Sequence, residues 1–199
     1  TATENAQPTL LTVCVALLAS LADSVDISSV VARRSSFVAG HSLGEYSALV
    51  AAGAIDFPTA LRLVRRRGEL MAGAREGSMA AIIGIDEAAL EQICRAVSAE
   101  DAPVVIANYN SPGQLVISGA GVAVERACAL AKERGAKRAL PLKVSAAFHS
   151  PLMRAAAEGL AASVAQAAIV DARTPVISNV TAEPLTQADA IRHELIAQV

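Results

Sequence analysis

The chain has 199 residues, 53% of them apolar, 18% charged and 3% aromatic, with a formal net charge of −2. That length and apolar content suit one domain with an inserted lobe built around a sizeable core. Scattered Lys and Arg with no aromatic-interleaved basic stripe exclude a nucleic-acid binder.

The segment from Thr9 to Ala22 carries no charge, and Leu10, Leu11, Cys14, Leu17, Leu18 and Leu21 recur in it at helical spacing. It reads as a buried helix over 9–23. It is too short to span a bilayer and lacks the basic flank of a signal peptide, so no membrane partner is expected. Cys14, Cys94 and Cys128 lie far apart in apolar helical patterns. They are read as buried reduced thiols of a cytoplasmic protein, with no disulfide framework and no metal site.

A short apolar strand over 36–40 leads into Gly40-His41-Ser42-Leu43-Gly44-Glu45, and a helix over 43–52 follows. Gly-x-Ser-x-Gly between a strand and a helix is the setting of a nucleophile elbow. The two glycines let the backbone turn around Ser42. The Leu43 N–H, at the helix N-terminus, then points to where an oxyanion would develop.

A second helix over 57–72 starts with Asp56 as N-cap and Pro58 in its first turn. Around this helix Arg62, Arg65, Arg66 and Glu69 share the polar face. Arg67 falls inside the apolar face, between Leu63 and Val64 in projection. A guanidinium cannot shed its proton, so a buried one needs an anion. Either a buried Asp or Glu pairs with it, or it holds a substrate carboxylate distant from the carbonyl under attack.

From residue 78 to 142 the texture changes to strand, helix, strand, strand, helix, strand. The strands are 79–83, 104–108, 115–118 and 138–142. The helices are 87–97, capped by Asp86, and 122–134, ended by Gly135. Asn110-Ser111-Pro112-Gly113 makes the middle turn. This βαββαβ order is that of a ferredoxin-like split unit. After it, a strand over 143–147 precedes His149. Ser150-Pro151 then breaks into a helix over 152–168, and 175–180 reads as another buried strand. A small lobe over 77–144 is therefore inserted into a larger lobe made of 1–76 and 145–199. His149 is the histidine in a site-like setting, read either as a base for the serine or as a surface or helix-capping histidine. His41 points elsewhere on the elbow, and His193 lies in a charged, solvated helix.

These motifs together, with Asn108-Tyr109-Asn110-Ser111-Pro112-Gly113, Phe148-His149-Ser150-Pro151 and Ser178-Asn179-Val180-Thr181-Ala182, resemble the malonyl-CoA:acyl-carrier-protein transacylases of bacterial fatty acid synthesis. The acyltransferase domains of polyketide synthases are similar. The resemblance runs in order over essentially the whole chain. It implies an α/β-hydrolase-like acyltransferase core with an inserted ferredoxin-like small lobe. It implies Ser42 as the nucleophile that carries the malonyl ester, His149 as its base, Arg67 as partner of the malonyl carboxylate and Leu43 as an oxyanion donor. Met71 and Asn110 match positions at the acyl site. Phe148 matches the malonyl-selective pattern. Malonyl-CoA and acyl carrier protein are the implied partners, with no metal or redox cofactor, and the protein is a monomer or a module of a larger synthase. Relatives begin with a strand and a Gly-Gln-Gly-Ser-Gln segment and continue beyond a segment like 193–199. The chain is therefore expected to be a fragment cut at both ends, with no acid here assigned to orient His149. Two other classes fit parts of the pattern: a serine esterase using the same elbow, and a non-catalytic fragment that docks a carrier protein.

Overall fold

The computed structural model describes residues 2–24, 37–74, 76–144 and 146–199. They fall into two compact units, residues 1–70 with 157–198, and residues 71–156 with 199.

The first unit opens with α1 (Thr3–Ser24), which starts six residues before the apolar pattern does and keeps Pro8 inside it. Proline lacks the N–H that would reach back four residues to the Glu4 carbonyl. Arg65 supplies the missing donor, its Nη1 lying 3.2 Å from the Glu4 oxygen. The backbones of α1 and α3 (Phe57–Gly73) come close at Gly68, where a Cβ would lie 2.9 Å from the Glu4 Cα. Asp56 caps α3 as expected, accepting from the Thr59 N–H at 2.7 Å.

The expectation of a buried first helix does not hold among the described residues. Leu11 is buried, but Leu10, Val13, Leu17 and Leu21 are half exposed or more, and Cys14 is exposed. Only one edge of α1 meets its unit, so the apolar spacing marks a helix face without marking its cover. By length and composition 3–23 would also suffice to cross a membrane, contrary to the shorter reading of 9–22.

Helix α2 (Gly44–Ala51) is buried through Tyr46, Ala48 and Leu49. The strand expected over 36–40 is reduced to one parallel bridge between Val38 and Val176; Ser36 lies outside the described residues. A single neighbour cannot extend a ladder. The strand expected over 175–180 is likewise short, β5 (Val176–Ile177), paired antiparallel with β6 (Pro184–Leu185). Beyond Ile177 the chain turns because the Ser178 hydroxyl accepts the N–H groups of Val180 and Thr181. The last helix of this unit, α7 (Ala188–Ala197), buries Ile191, Glu194 and Leu195.

The second unit holds β1 (Ser78–Ile83), α4 (Glu87–Val97), β2 (Val104–Ser111), β3 (Gln114–Gly119), α5 (Gly121–Glu133) and β4 (Arg138–Pro141). The sheet order is β2-β3-β1-β4 with every pair antiparallel. Ala80, Ile82, Leu115 and Ile117 form its inner face. Leu90, Ile93 and Cys94 from α4 and Ala123, Val124 and Ala127 from α5 cover them. Asp86 caps α4 through the Ala88 and Ala89 N–H groups. The middle turn is tighter than expected, two residues long, with Asn110 still within β2 and exposed. Strand β4 stops at Pro141, and no strand follows over the described residues of 143–147. The expected helix over 152–168 is a 3-10 turn at Pro151–Met153 followed by α6 (Arg154–Gln166).

Candidate active site

Ser42 stands in the left-handed region with φ 51. For a residue with a Cβ that conformation costs roughly 1–2 kcal/mol. Asn179, in the turn after β5, offsets the strain from both ends. Its Oδ1 accepts the Ser42 N–H at 2.6 Å, and its Nδ2 donates to the Gly40 carbonyl at 2.7 Å. The elbow glycines are not equivalent. A Cβ on Gly40 would lie 2.0 Å from the Gly44 oxygen, whereas a Cβ on Gly44 would meet open space. The close turn therefore demands glycine at the first position only. The Ser42 N–H is committed to Asn179. The Leu43 N–H, at the start of α2, has no acceptor among the described residues.

Arg67 is 2% exposed, as its place on the apolar face of α3 requires. Its Nη1 donates to Gln7 Oε1 at 2.8 Å, and its Nη2 to Gln198 Oε1 at 2.8 Å and to Ser42 Oγ at 3.1 Å. Its Cζ lies 5.9 Å from the centroid of the Tyr46 ring. The Nε–H has no acceptor among the described residues. Of the two fates open to a buried arginine, direct pairing with an internal acid is not the one found. The partners are amide and hydroxyl oxygens. Burial pulls the guanidinium pKa down, while Tyr46 and Glu45 nearby oppose that. Burial likewise pushes the Tyr46 phenol up to about 12.

Beneath the elbow lies a buried acid. Glu45 is 1% exposed. It accepts from the Asn179 N–H at 3.1 Å and from the Gln198 side-chain amide. That same amide nitrogen donates to the Ser42 carbonyl at 2.9 Å. Burial, and then the charge of Glu194, push the Glu45 carboxyl from 4.5 up to about 7. Glu194 accepts from Ser178 Oγ at 2.7 Å and from the Val180 N–H at 3.0 Å.

The first unit thus brings Ser42, Leu43 and Arg67 together. Met71 is buried one turn after Arg67 along α3. Met71, His149, Phe148 and Asn110 belong to the second unit. His149 also has positive φ, 56, and is partly buried, as is Phe148. Ser150 anchors that turn, donating to the Ala147 carbonyl at 2.7 Å and accepting from the Leu152 N–H. His41 and His193 are exposed.

Gln7, Gln198, Asn179, Glu45 and Glu194 complete the surroundings, and none was singled out from the sequence for a role. Asn179 and Glu45 stand inside motifs already noted. Nothing local marks the two glutamines.

The acyl transferase domain family matches residues 1–194. The chain is 50% identical over 202 residues to the malonyl CoA-acyl carrier protein transacylase of Bacillus subtilis (strain 168), covering 100% of this chain and 62% of that relative. The crystal structure of an acyl-carrier-protein-S-malonyltransferase from Bartonella henselae superposes with a TM-score of 0.92 at 44% identity, covering 100% of this chain and 63% of that one. A malonyl-transacylase solved in complex with its type II PKS acyl-carrier protein gives 0.90 at 44% identity, covering 99% and 62%.

Proposed function

Because this chain belongs to the acyl transferase domain family, we propose that the whole protein moves a malonyl group from malonyl-CoA to the phosphopantetheine thiol of acyl carrier protein, through an ester on Ser42. The observation that carries this reading is the guanidinium of Arg67 lying 3.1 Å from Ser42 Oγ with neutral amides as its other partners. An arginine left without a direct carboxylate beside a strained serine suits an acyl group that ends in a free acid. Among the described residues Nε–H has no acceptor, and a carboxylate gripping the edge that bears Nε and Nη2 would displace one of the Nη2 donations, to Ser42 or to Gln198.

In this mechanism Ser42 Oγ attacks the thioester carbonyl while His149 takes its proton. The Leu43 N–H holds the developing oxyanion. The C–S bond breaks, and His149 returns the proton to the coenzyme A sulfur. The carrier thiol then attacks the ester carbonyl, giving its proton to His149. The C–O bond breaks and the proton returns to Ser42 Oγ. Every proton and electron pair is accounted for without a metal or redox cofactor. Met71, Asn110 and Phe148 border the acyl group in this reading.

The same reading assigns an α/β-hydrolase-like core over 1–76 and 145–199 and a ferredoxin-like lobe over 77–144. The antiparallel order β2-β3-β1-β4 supports the second assignment. A cytoplasmic monomer, or a module of a larger synthase, goes with it. The chain spans about 62% of the length of the transacylase it matches, so the test uses the complete natural polypeptide. After incubation with malonyl-CoA, mass spectrometry is expected to find the malonyl adduct on Ser42. Steady hydrolysis of neutral esters without a thiol acceptor, and no adduct, would replace this reading with an esterase.

A further inference from the structure

Two buried carboxyls lie under the elbow, and among the described residues neither has a direct cation. Glu45 on α2 is 1% exposed and Glu194 on α7 is 6% exposed. The groups around Glu45 come from every side. Glu194 faces it from α7, while Asn179 and Gln198 donate to it. Tyr46 is its neighbour on α2, and Arg67 on α3 is joined to it by hydrogen bonds through the Gln198 amide as well as by charge across the cluster. That amide accepts from Arg67 at one end and donates to Glu45 and the Ser42 carbonyl at the other.

We propose that Glu45 is a positioning residue for the acyl site. Acting through Gln198, its carboxyl sets how much of the Arg67 charge meets an incoming acyl group, so the choice between acidic and neutral acyl donors depends on pH. The inference rests on the malonyl-transfer reading and extends it to a residue outside the reacting atoms. The charge balance gives the direction. With Glu45 protonated, the cluster holds one guanidinium and one carboxylate, Glu194, which accepts from Ser178 and Val180 and is hydrogen-bonded to Glu45. An acyl carboxylate then meets a cation with little competition. With Glu45 ionised, two buried carboxylates already share one cation and a third is resisted. The midpoint belongs near neutrality, since burial and Glu194 raise Glu45 to about 7.

The test compares rates of Ser42 acylation by malonyl-CoA and by acetyl-CoA between pH 6 and 8.5, on the complete natural polypeptide. Both donors share coenzyme A, so titration of the base and of the cofactor cancels in the ratio. The malonyl-to-acetyl ratio is expected to fall by about three- to tenfold as pH rises. Glu45→Gln should flatten the profile. Glu194→Gln should move its midpoint to lower pH, because it removes the charge that holds the Glu45 proton. A buried residue with a purely structural role would change yield or melting temperature without moving this midpoint. A flat wild-type profile, or a wild-type profile kept by Glu45→Gln, overturns the role of Glu45. In either case malonyl preference lost in Arg67→Ala leaves the transfer reading intact. No acylation of Ser42 by malonyl-CoA at any pH overturns the transfer reading instead. Should Glu45→Gln fail to fold, the wild-type profile and Glu194→Gln still decide.

Discussion

The guanidinium of Arg67 donates through Nη2 to the hydroxyl of Ser42 across 3.1 Å, from a side chain 2% exposed. The contact joins the middle of α3 to the turn before α2, and it puts a fixed positive charge beside the oxygen proposed to carry the acyl group.

Arg67→Ala is therefore expected to lower malonyl transfer far more than acetyl transfer. Loss of a charge-assisted contact of about 2–4 kcal/mol corresponds to a roughly 30- to 1000-fold drop in the malonyl-to-acetyl ratio. Acetyl transfer should also decline, since the Ser42 hydroxyl loses a donor. Rates of Ser42 acylation by the two thioesters measure this directly. An equal fall for both would make Arg67 a packing residue.

The neutrality of the glutamines around Arg67 can be tested by charging one. Gln7→Glu would set a carboxylate where an amide oxygen now accepts at 2.8 Å from Nη1. It should satisfy Arg67 internally and reduce malonyl preference by at least tenfold, about 1.4 kcal/mol, while melting temperature holds or rises. Undiminished preference would show that the neutrality of the amide does not matter.

Strain at Ser42 predicts a trade between stability and activity. At φ 51 a glycine is unstrained and an alanine is not. Ser42→Gly should thus be more stable than Ser42→Ala by about 1 kcal/mol in chemical denaturation, with both unable to form the acyl ester. Equal stabilities would mean that Asn179 does not hold a strained turn.

The pH dependence of stability follows from Glu45. Its folded pKa is raised, from 4.5 to about 7, so between those values the folded protein keeps a proton that the unfolded chain has released. Its contribution to stability is full below about pH 4.5 and is lost as pH rises through about 7, a span of roughly 3 kcal/mol. Subtracting the denaturation free energies of Glu45→Gln from those of the wild type should expose that slope. A difference that does not change with pH would place Glu45 in the ordinary carboxylate range.

The strands and helices of the second unit were legible because each carries its own period. Ala80, Ile82, Leu115 and Ile117 alternate, Leu90, Ile93 and Cys94 recur at helical spacing, and Asp86 marks a start. Arg67 was legible for the opposite reason, a charge that breaks its helix's pattern. Misreadings fell where the outcome depends on neighbours. The segment at 36–40 has strand composition, but Val38 finds one partner, Val176. The apolar stripe of α1 predicted burial that its surroundings among the described residues do not provide. The reading of the first helix rested on apolar spacing that begins at Thr9, so its first turn, and Gln7 with it, was missed.

By itself the sequence determined the elbow, the helical face that traps Arg67 and the order of elements around both, because these are properties of short stretches of chain. Only the tertiary structure decided that Arg67 would meet Gln7 and Gln198, partners 60 and 131 residues away, and not an acid. It also decided that Glu45 would lie buried against Glu194. Such meetings depend on how distant segments close on one another, and a buried charge takes whichever acceptors that closure delivers.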